Sequence, residues 1–182
     1  MGRNNEFKLL SLNVRGIRTF EKRKAVFSWL VNSDADIIFL QETYSTRDIK
    51  NIWRKQWKGE MFFSHGSNHS RGVLVLIKDN LDFKIHSTKV DSQGRYIFLD
   101  AYIQDSPYFV LNTYAPNKCS EQFLFFKDVS DILKGARVEQ DHPFIVGGDF
   151  NIILHHDLDE QGGDSKRKDS EKLSKTCPLS LI

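Results

Sequence analysis

The amino-acid sequence predicts an α/β fold in which two face-packed β-sheets lie between outer helices. The chain opens with a strand–helix–strand–helix pattern, continues as a meander of antiparallel strands, and then returns to a helix followed by a buried strand. Helices on both sides of a strand-rich middle are typical of an α/β sandwich. No internal repeat or interdomain linker is visible, so the 182 residues are assigned to one domain, 1–182.

Each predicted element follows from an apolar run and its period. Val26, Trp29 and Leu30 recur at helical spacing in the first helix, whereas 37–41 is a continuous apolar run typical of a buried strand. Thr46 is a plausible N-cap for the second helix. Strands are predicted at 7–13, 37–41, 61–64, 73–77, 81–90, 96–103, 108–114 and 143–146, and helices at 20–31, from Thr46 through Trp53, and from Ser120 through Leu133.

Composition permits many functions and excludes few. Fourteen Phe, three Trp and five Tyr can fill a proper core, and a formal charge of +2 is too small to indicate nucleic-acid binding by itself. Cys119 and Cys177 have no metal-ligand spacing, which favours a reducing compartment. The polar N-terminus and the lack of a run of ~20 apolar residues predict an intracellular protein that is neither secreted nor membrane-bound.

Polar residues follow four of the apolar strands at the point where each strand ends. They are Asn13, Glu42, Tyr114 and the pair Asp149 and Asn151. By the period of two in extended chain, Asp149 and Asn151 are expected to point the same way. The pattern predicts one polar site at one edge of a sheet.

These residue types suit phosphoryl hydrolysis. Mg²⁺ prefers oxygen ligands and is usually held by one or two carboxylates plus substrate phosphate, a demand that Glu42 and Asp149 meet, with Asn13 as a neutral third oxygen. The Asn151 amide and the Tyr114 hydroxyl can donate hydrogen bonds to a phosphate.

Each residue also has an ordinary structural explanation. Asn13 could be a turn former, Glu42 could mark where the chain leaves the core, and Tyr114 could be a core residue with a wet tip. Asp149 and Asn151 could form only an Asx turn. Because polar residues follow four separate strands, one shared site explains the pattern better than separate structural explanations do.

Six segments give the chain a family resemblance. They are LLSLNVRG, IIFLQETY, SRGVLVLI, GRYIFLD, LNTYAPN and IVGGDFN, within the well-matched range 7–151. With these segments in this order, the chain resembles the endonuclease/exonuclease/phosphatase superfamily, and most closely the endonuclease domain of non-LTR retrotransposons of the long interspersed element type.

The resemblance implies a four-layered α/β/β/α sandwich, DNase I-like, that nicks DNA with Mg²⁺, for which Mn²⁺ is an alternative. It implies that Asn13 and Glu42 position the metal, that Tyr114 and Asn151 contact the phosphate, and that Asp149 orients or activates the attacking water. DNA is the implied partner, and a reverse transcriptase domain is expected in the parent protein. Nuclear localisation follows if the domain is functional.

Loop residues around this site are candidates for contact with the DNA backbone. Arginine suits bidentate phosphate recognition, although ordinary solvated loop residues remain the alternative. The candidates are Arg15, Arg18, Arg71, Arg95 and Asn117.

The last segment, 152–182, departs from the family pattern. It is a charged loop and divergent tail without the further strand-end Asp and the closing Asp-His pair that the resemblance implies. We therefore expect a fold that is incomplete at the C-terminus, with impaired activity. Two other functions stay open: a non-catalytic nucleic-acid-binding remnant, and a superfamily phosphatase acting on lipid or inositol phosphates.

Overall fold

The computed structural model describes residues 6–152 and forms two mixed sheets of four strands each, packed face to face. The first sheet contains β1 (Leu9–Asn13), β2 (Ile37–Gln41), β3 (Gly59–Ser64) and β4 (Val73–Lys78), in the order β1-β2-β4-β3. The second contains β5 (Phe83–Val90), β6 (Tyr96–Ile103), β7 (Ser106–Tyr114) and β8 (Phe144–Asp149), in sequence order.

Three helices complete the layers. They are α1 (Phe20–Asn32), α2 (Lys50–Arg54), which follows a 3₁₀ turn at Arg47–Ile49, and α3 (Cys119–Glu139). Strand β1 pairs with β2, and β7 pairs with β8, in parallel, while the remaining neighbours are antiparallel. Parallel neighbours need a crossover, which α1 provides between β1 and β2 and α3 provides between β7 and β8.

Three apolar clusters hold the layers together. Phe27 and Leu30 of α1 and Trp53 of α2 pack on the outer face of the first sheet. A second cluster fills the space between the sheets, and a third packs α3 onto the outer face of the second sheet. Because β2 is buried on both faces, it appears in the sequence as a continuous apolar run.

The predicted four-layered α/β/β/α sandwich is confirmed for the described part of the chain. Every predicted strand is present, and 37–41 and 96–103 have the predicted bounds. The third helix is longer than predicted and ends at Glu139. The predicted loop and tail at 153–182, with the expected incompleteness of the fold there, lie outside the described residues.

One prediction about local structure was wrong, and another holds for the position but not for the hydrogen bond. Strand β1 was expected to be buried, but it is an edge strand, and Leu9 is 39% exposed. Thr46 stands at the N-cap position without making a cap hydrogen bond. Its hydroxyl instead accepts a hydrogen bond of 2.6 Å from Arg18 Nη1. Among residues 6–152, no helix is long and apolar enough to cross a membrane.

Arg23 is a buried cation that holds the loop before α1. Its Nη1 donates to the carbonyls of Arg18 at 2.7 Å and Ile17 at 3.3 Å, and its Nε donates to Gln56 Oε1 at 2.6 Å. Burial lowers the pKa of Arg23, and its guanidinium lies 5.2 Å from the Trp53 ring centre. The loop that leads away from Asn13 is therefore fixed from inside the core.

We expect Arg23→Met to lower the free energy of unfolding by about 1–3 kcal/mol, because buried carbonyl oxygens lose their donors. The exposed Lys24→Met is the matched control and should change stability by less than about 0.5 kcal/mol. Urea titration of both variants measures the difference. Equal stability of the two variants would contradict this role for Arg23.

Candidate active site

Polar residues from both sheets meet where four strands end. Asn13 and Asp149 are the last residues of β1 and β8, Tyr114 is the last residue of β7, and Glu42 follows β2 directly. The prediction of one site is consistent with this convergence, but its placement at one sheet edge was wrong. Asn13 and Glu42 come from the first sheet, and Tyr114 and Asp149 come from the second.

The Asn13 amide lies at the centre of the cluster. Its Nδ2 donates to Glu42 Oε1 and to Asp149 Oδ2, both at 2.9 Å. The Tyr114 hydroxyl donates to Glu42 Oε1 at 3.1 Å. The carboxylates of Glu42 and Asp149 therefore both lie within hydrogen-bonding distance of one nitrogen, although they belong to different sheets.

The two carboxylates have neutral hydrogen-bond donors but no basic counter-ion. Within residues 6–152, neither Glu42 nor Asp149 has a Lys, Arg or His nitrogen within salt-bridge distance. Two close carboxylates repel each other unless a positive charge lies between or beside them. The arrangement of Glu42 and Asp149 therefore favours the binding of a cation between or beside the two carboxylates.

The donor set suits a hard divalent cation. Among the described residues there is no group of three or more His, Cys, Asp and Glu side chains that could hold a metal. Mg²⁺ needs only one or two carboxylates when water and substrate phosphate supply its other oxygens. Glu42 and Asp149 meet that condition. Asn13 Oδ1 accepts a hydrogen bond from Arg15 N at 3.0 Å, so its role as a metal ligand stays a prediction.

The backbone around the site is strained. Five non-glycine residues near the strand ends have positive φ angles: Arg15 (45°), Glu42 (51°), Tyr44 (56°), Arg71 (62°) and Asn151 (49°). Such conformations cost about 1–3 kcal/mol each and persist only when surrounding contacts enforce them. Clustering of this strain at the strand ends is typical of a functional site.

Tyr44 belongs to the site, although the sequence did not indicate it. Its hydroxyl donates to Glu42 Oε2 at 3.1 Å, so both oxygens of that carboxylate accept hydrogen bonds. Its ring lies against Gly16, where a β-carbon would stand 2.5 Å from Tyr44 Cδ2. The signal available in the sequence was the QETY segment, in which Tyr44 lies two residues after Glu42.

Asn151 does not continue the alternation of β8. Strand β8 ends at Asp149, and Asp149 Oδ1 accepts a hydrogen bond from Asn151 N at 3.1 Å, which makes an Asx turn. The Asn151 side chain donates to the Ala115 carbonyl at 2.7 Å, and Gln122 donates to the Asn151 carbonyl at 2.9 Å. The expectation from the strand period was therefore wrong, and the contact of Asn151 with phosphate stays a prediction.

The predicted rim residues differ in their solvent exposure and in their side-chain hydrogen bonds. Arg15 and Asn117 are exposed. Arg18 is turned toward Thr46 and Asp48, with Nη2 3.4 Å from Asp48 Oδ2.

Arg71 and Arg95 form a second part of this rim. Arg71 donates to Gln93 Oε1 at 3.0 Å, and the buried Arg95 pairs with Glu121 at 3.0 Å. Burial lowers the pKa of Arg95, and the positive charge of Arg71 lowers it further. Of these two neighbouring cations, Arg95 has a carboxylate partner and Arg71 has a neutral one, an arrangement suited to binding an anion.

Tyr114 stays protonated over the whole neutral range. Burial, followed by the negative charge of Glu42, raises the pKa of Tyr114 from 10.0 to about 12. The folded state therefore favours the protonated hydroxyl.

We expect the free energy of unfolding to fall as the pH rises from 10 toward 12, since the unfolded chain loses this proton first. Chemical denaturation across this pH range should show a smaller fall in Tyr114→Phe; an unchanged fall would contradict the assignment.

Solved structures share this fold. TDP2 from Caenorhabditis elegans superposes with a TM-score of 0.64 at 21% identity, over 81% of this chain and 48% of that chain. Zebrafish TDP2 complexed with a single-strand DNA product gives a TM-score of 0.59 at 14% identity, over 81% of this chain and 61% of that one. The fold places the chain in the DNase I-like class of α/β/β/α domains.

The chain belongs to the Endonuclease/Exonuclease/phosphatase family, whose model matches residues 10–170. It is 31% identical to the transposon TX1 uncharacterized 149 kDa protein of Xenopus laevis, over 90% of this chain and 12% of that protein. It is 27% identical to the DNA repair nuclease APEX1 of Danio rerio, over 93% of this chain and 56% of that protein. It is 26% identical to an exodeoxyribonuclease of Bacillus subtilis strain 168, over 90% of this chain and 65% of that protein. The chain thus spans less than two thirds of the length of each relative.

Proposed function

We propose that this domain is a DNA-nicking endonuclease of a non-LTR retrotransposon that hydrolyses phosphodiester bonds with a divalent cation. The observation that carries the proposal is the pair of carboxylates, Glu42 and Asp149, bridged by the Asn13 amide and without a basic partner within residues 6–152. The similarity to a transposon protein supports the retrotransposon origin, and the similarity to a DNA repair nuclease supports DNA as the substrate.

Glu42 would hold the cation, Mg²⁺ or Mn²⁺, with Asp149 beside it, and the bound cation would neutralise charge on the phosphate. Asp149 takes a proton from the attacking water, because among the residues that the structure describes its carboxylate accepts from Asn151 and Asn13 alone and keeps free lone pairs. Tyr114 is neutral at working pH, and its single hydroxyl proton, which Glu42 Oε1 accepts in the free site, would turn to the phosphate when DNA binds. Asn151 would donate its second amide N–H, because the first is donated to the Ala115 carbonyl. The bond between phosphorus and the sugar oxygen breaks, and that oxygen takes a proton from solvent.

The test is nicking of supercoiled DNA by the whole chain, with Mg²⁺, with Mn²⁺ and with a chelator. We expect supercoiled DNA to be converted to the open circle with either cation and to stay supercoiled with the chelator. DNA binding without nicking would instead support the non-catalytic remnant. Phosphate release from a soluble inositol phosphate without DNA cleavage would support a phosphatase.

The rim arginines provide a separate measurement of DNA binding. Arg71→Ala should weaken binding to all sequences alike and reduce the slope of log K against log salt by about 1, the value for one lost phosphate contact. Lys84→Ala is the control, because Lys84 lies at the end of β5 that pairs with Tyr102, away from the strand ends at the site. Fluorescence anisotropy at several salt concentrations measures both. An unchanged slope for Arg71→Ala would remove this residue from the DNA contact.

The parent protein is proposed to carry a reverse transcriptase domain, because the chain spans only 12% of the transposon relative. A nick made by the endonuclease domain would then supply the primer end for that domain. This function requires access to chromosomal DNA, so we propose nuclear localisation.

A further inference from the structure

Strand β2 contains an irregularity immediately before the candidate metal ligand. The last regular pair between β2 and β4 is Leu40 with Leu74. Beyond it, Thr43 N donates to the Gly72 carbonyl at 2.9 Å. Two residues, Gln41 and Glu42, therefore stand opposite one residue, Val73. An extra residue of this kind bends a strand and redirects its side chains, and the positive φ of Glu42 is part of the same bend.

A side chain from the other sheet occupies this irregularity. Asn112 of β7 is fully buried, and its Nδ2 donates to the carbonyls of Leu74 at 3.0 Å and Leu40 at 3.3 Å. Its Oδ1 accepts a hydrogen bond from Gln41 Nε2 at 2.8 Å. The Asn112 carboxamide thus uses its amino group as a donor to β2 and β4, and its oxygen as an acceptor from Gln41 of β2.

This polar contact lies within an apolar interface. The side chains that fill the space between the sheets are otherwise mainly aliphatic and aromatic; among them are Ile37, Phe39, Val75, Ile97, Leu99 and Val110. A buried amide costs free energy unless its hydrogen bonds are made. Asn112 makes those bonds with one buried side chain and two backbone carbonyls, so its contact with the first sheet depends on direction as well as on burial. Satisfied buried polar groups fix one arrangement of their neighbours.

The position of Asn112 links it to two site residues. Asn112 and Tyr114 are two residues apart on β7 and face the same side. Gln41, its partner, directly precedes Glu42. The separation of 3.1 Å between Tyr114 Oη and Glu42 Oε1 therefore depends on how β7 is seated against β2.

We propose that Asn112 is a positioning residue, whose carboxamide holds β2 open at the extra residue and so fixes the Glu42 carboxylate against the Tyr114 hydroxyl. This role rests on the proposed nuclease function, since it concerns the same site. Asn112 touches no reacting atom, and its effect passes through Gln41 and the two carbonyls.

The first experiment compares Asn112→Leu with Thr113→Val in the nicking assay with Mg²⁺. Thr113 is the neighbouring residue, equally buried, and its hydroxyl has no hydrogen-bond partner among the described residues. Asn112→Leu should lower kcat by about 10- to 100-fold with KM changed less than twofold, as expected when reacting groups are slightly misplaced. Thr113→Val should match the parent chain. A folded Asn112→Leu with kcat within twofold of the parent would overturn the proposal.

A second measurement does not depend on activity. Crystal structures of the variants measure the separation between Tyr114 Oη and Glu42 Oε1, which is 3.1 Å in the parent chain. This separation should increase in Asn112→Leu and stay unchanged in Thr113→Val. An unchanged separation in Asn112→Leu would overturn the proposal even if the parent chain nicks no DNA, an outcome that would refute only the nuclease function.

Asn112→Leu removes the side-chain donor of two buried carbonyls and the acceptor of Gln41 Nε2, so a milder variant is also needed. Gln41→Met is the milder variant, because it removes one hydrogen bond to Asn112 and leaves both carbonyl contacts in place. If Asn112→Leu does not fold, Gln41→Met decides: a longer separation between Tyr114 Oη and Glu42 Oε1 and a lower kcat are expected. Parent values for both quantities would overturn the proposal.

Discussion

Glu42→Gln is expected to reduce magnesium-dependent nicking by at least about 10³-fold, because charge stabilisation by a bound divalent cation is worth several kcal/mol in the transition state. The amide keeps the size of the side chain, but only its single oxygen can accept, so it keeps the bonds from Tyr114 and Asn13 while its NH₂ group faces the Tyr44 hydroxyl. It removes the negative charge that would hold the cation. The variant therefore separates the charge of Glu42 from its place in the hydrogen-bond network.

Metal binding and activity should change together in this variant. Mn²⁺ binding, followed by electron paramagnetic resonance, should weaken in Glu42→Gln and stay unchanged in Glu60→Gln, whose side chain is exposed on β3. Nicking by Glu42→Gln within tenfold of the parent chain would show that this carboxylate is not the principal metal ligand.

Asp149→Asn is expected to lower kcat by about 10²- to 10⁴-fold, the usual effect of losing a general base. Asn13 Nδ2 donates to Asp149 Oδ2, and Asn151 N donates to Oδ1, so an amide at this position keeps the turn but places an NH₂ group against one donor. KM for DNA should change little, because the proposed role of Asp149 is in the chemical step. Single-turnover nicking measures that step directly.

Asp141→Asn is the control for this substitution, because Asp141 is exposed and precedes β8 by a short distance. Its kcat should equal that of the parent chain. If Asp149→Asn instead raised KM and left kcat unchanged, Asp149 would act in binding and the assignment of the base would be wrong.

The sequence predicted the fold well because apolar periodicity reports burial directly. Strand β2 is buried on both faces, so its apolar run gave the correct bounds at 37–41. Strand β1 has a similar composition but lies at an edge of the first sheet, and the sequence contained no sign of that difference. Position within a sheet depends on pairing between distant segments.

Apolar periodicity and long-range packing also explain which site residues the sequence predicted and which it did not. Asn13, Glu42, Tyr114 and Asp149 were predicted because each follows an apolar run, and the structure brings these four together. Tyr44 was missed because its approach to Glu42 requires a left-handed backbone that composition does not reveal. Asn112 was hidden within a predicted strand, and its role becomes visible only when the two sheets are packed.

Asn13 contacts Glu42 across 29 positions of the chain and Asp149 across 136. Contacts of long sequence separation form slowly, since closure of the intervening chain costs entropy before the contact compensates for it. The Asn13–Glu42 contact lies within the first sheet, whereas the Asn13–Asp149 contact requires β8 to be docked beside β7. Recovery of cleavage during refolding would thus report the final docking event, and a ribosome would have to release β8 before a nascent chain could cut DNA.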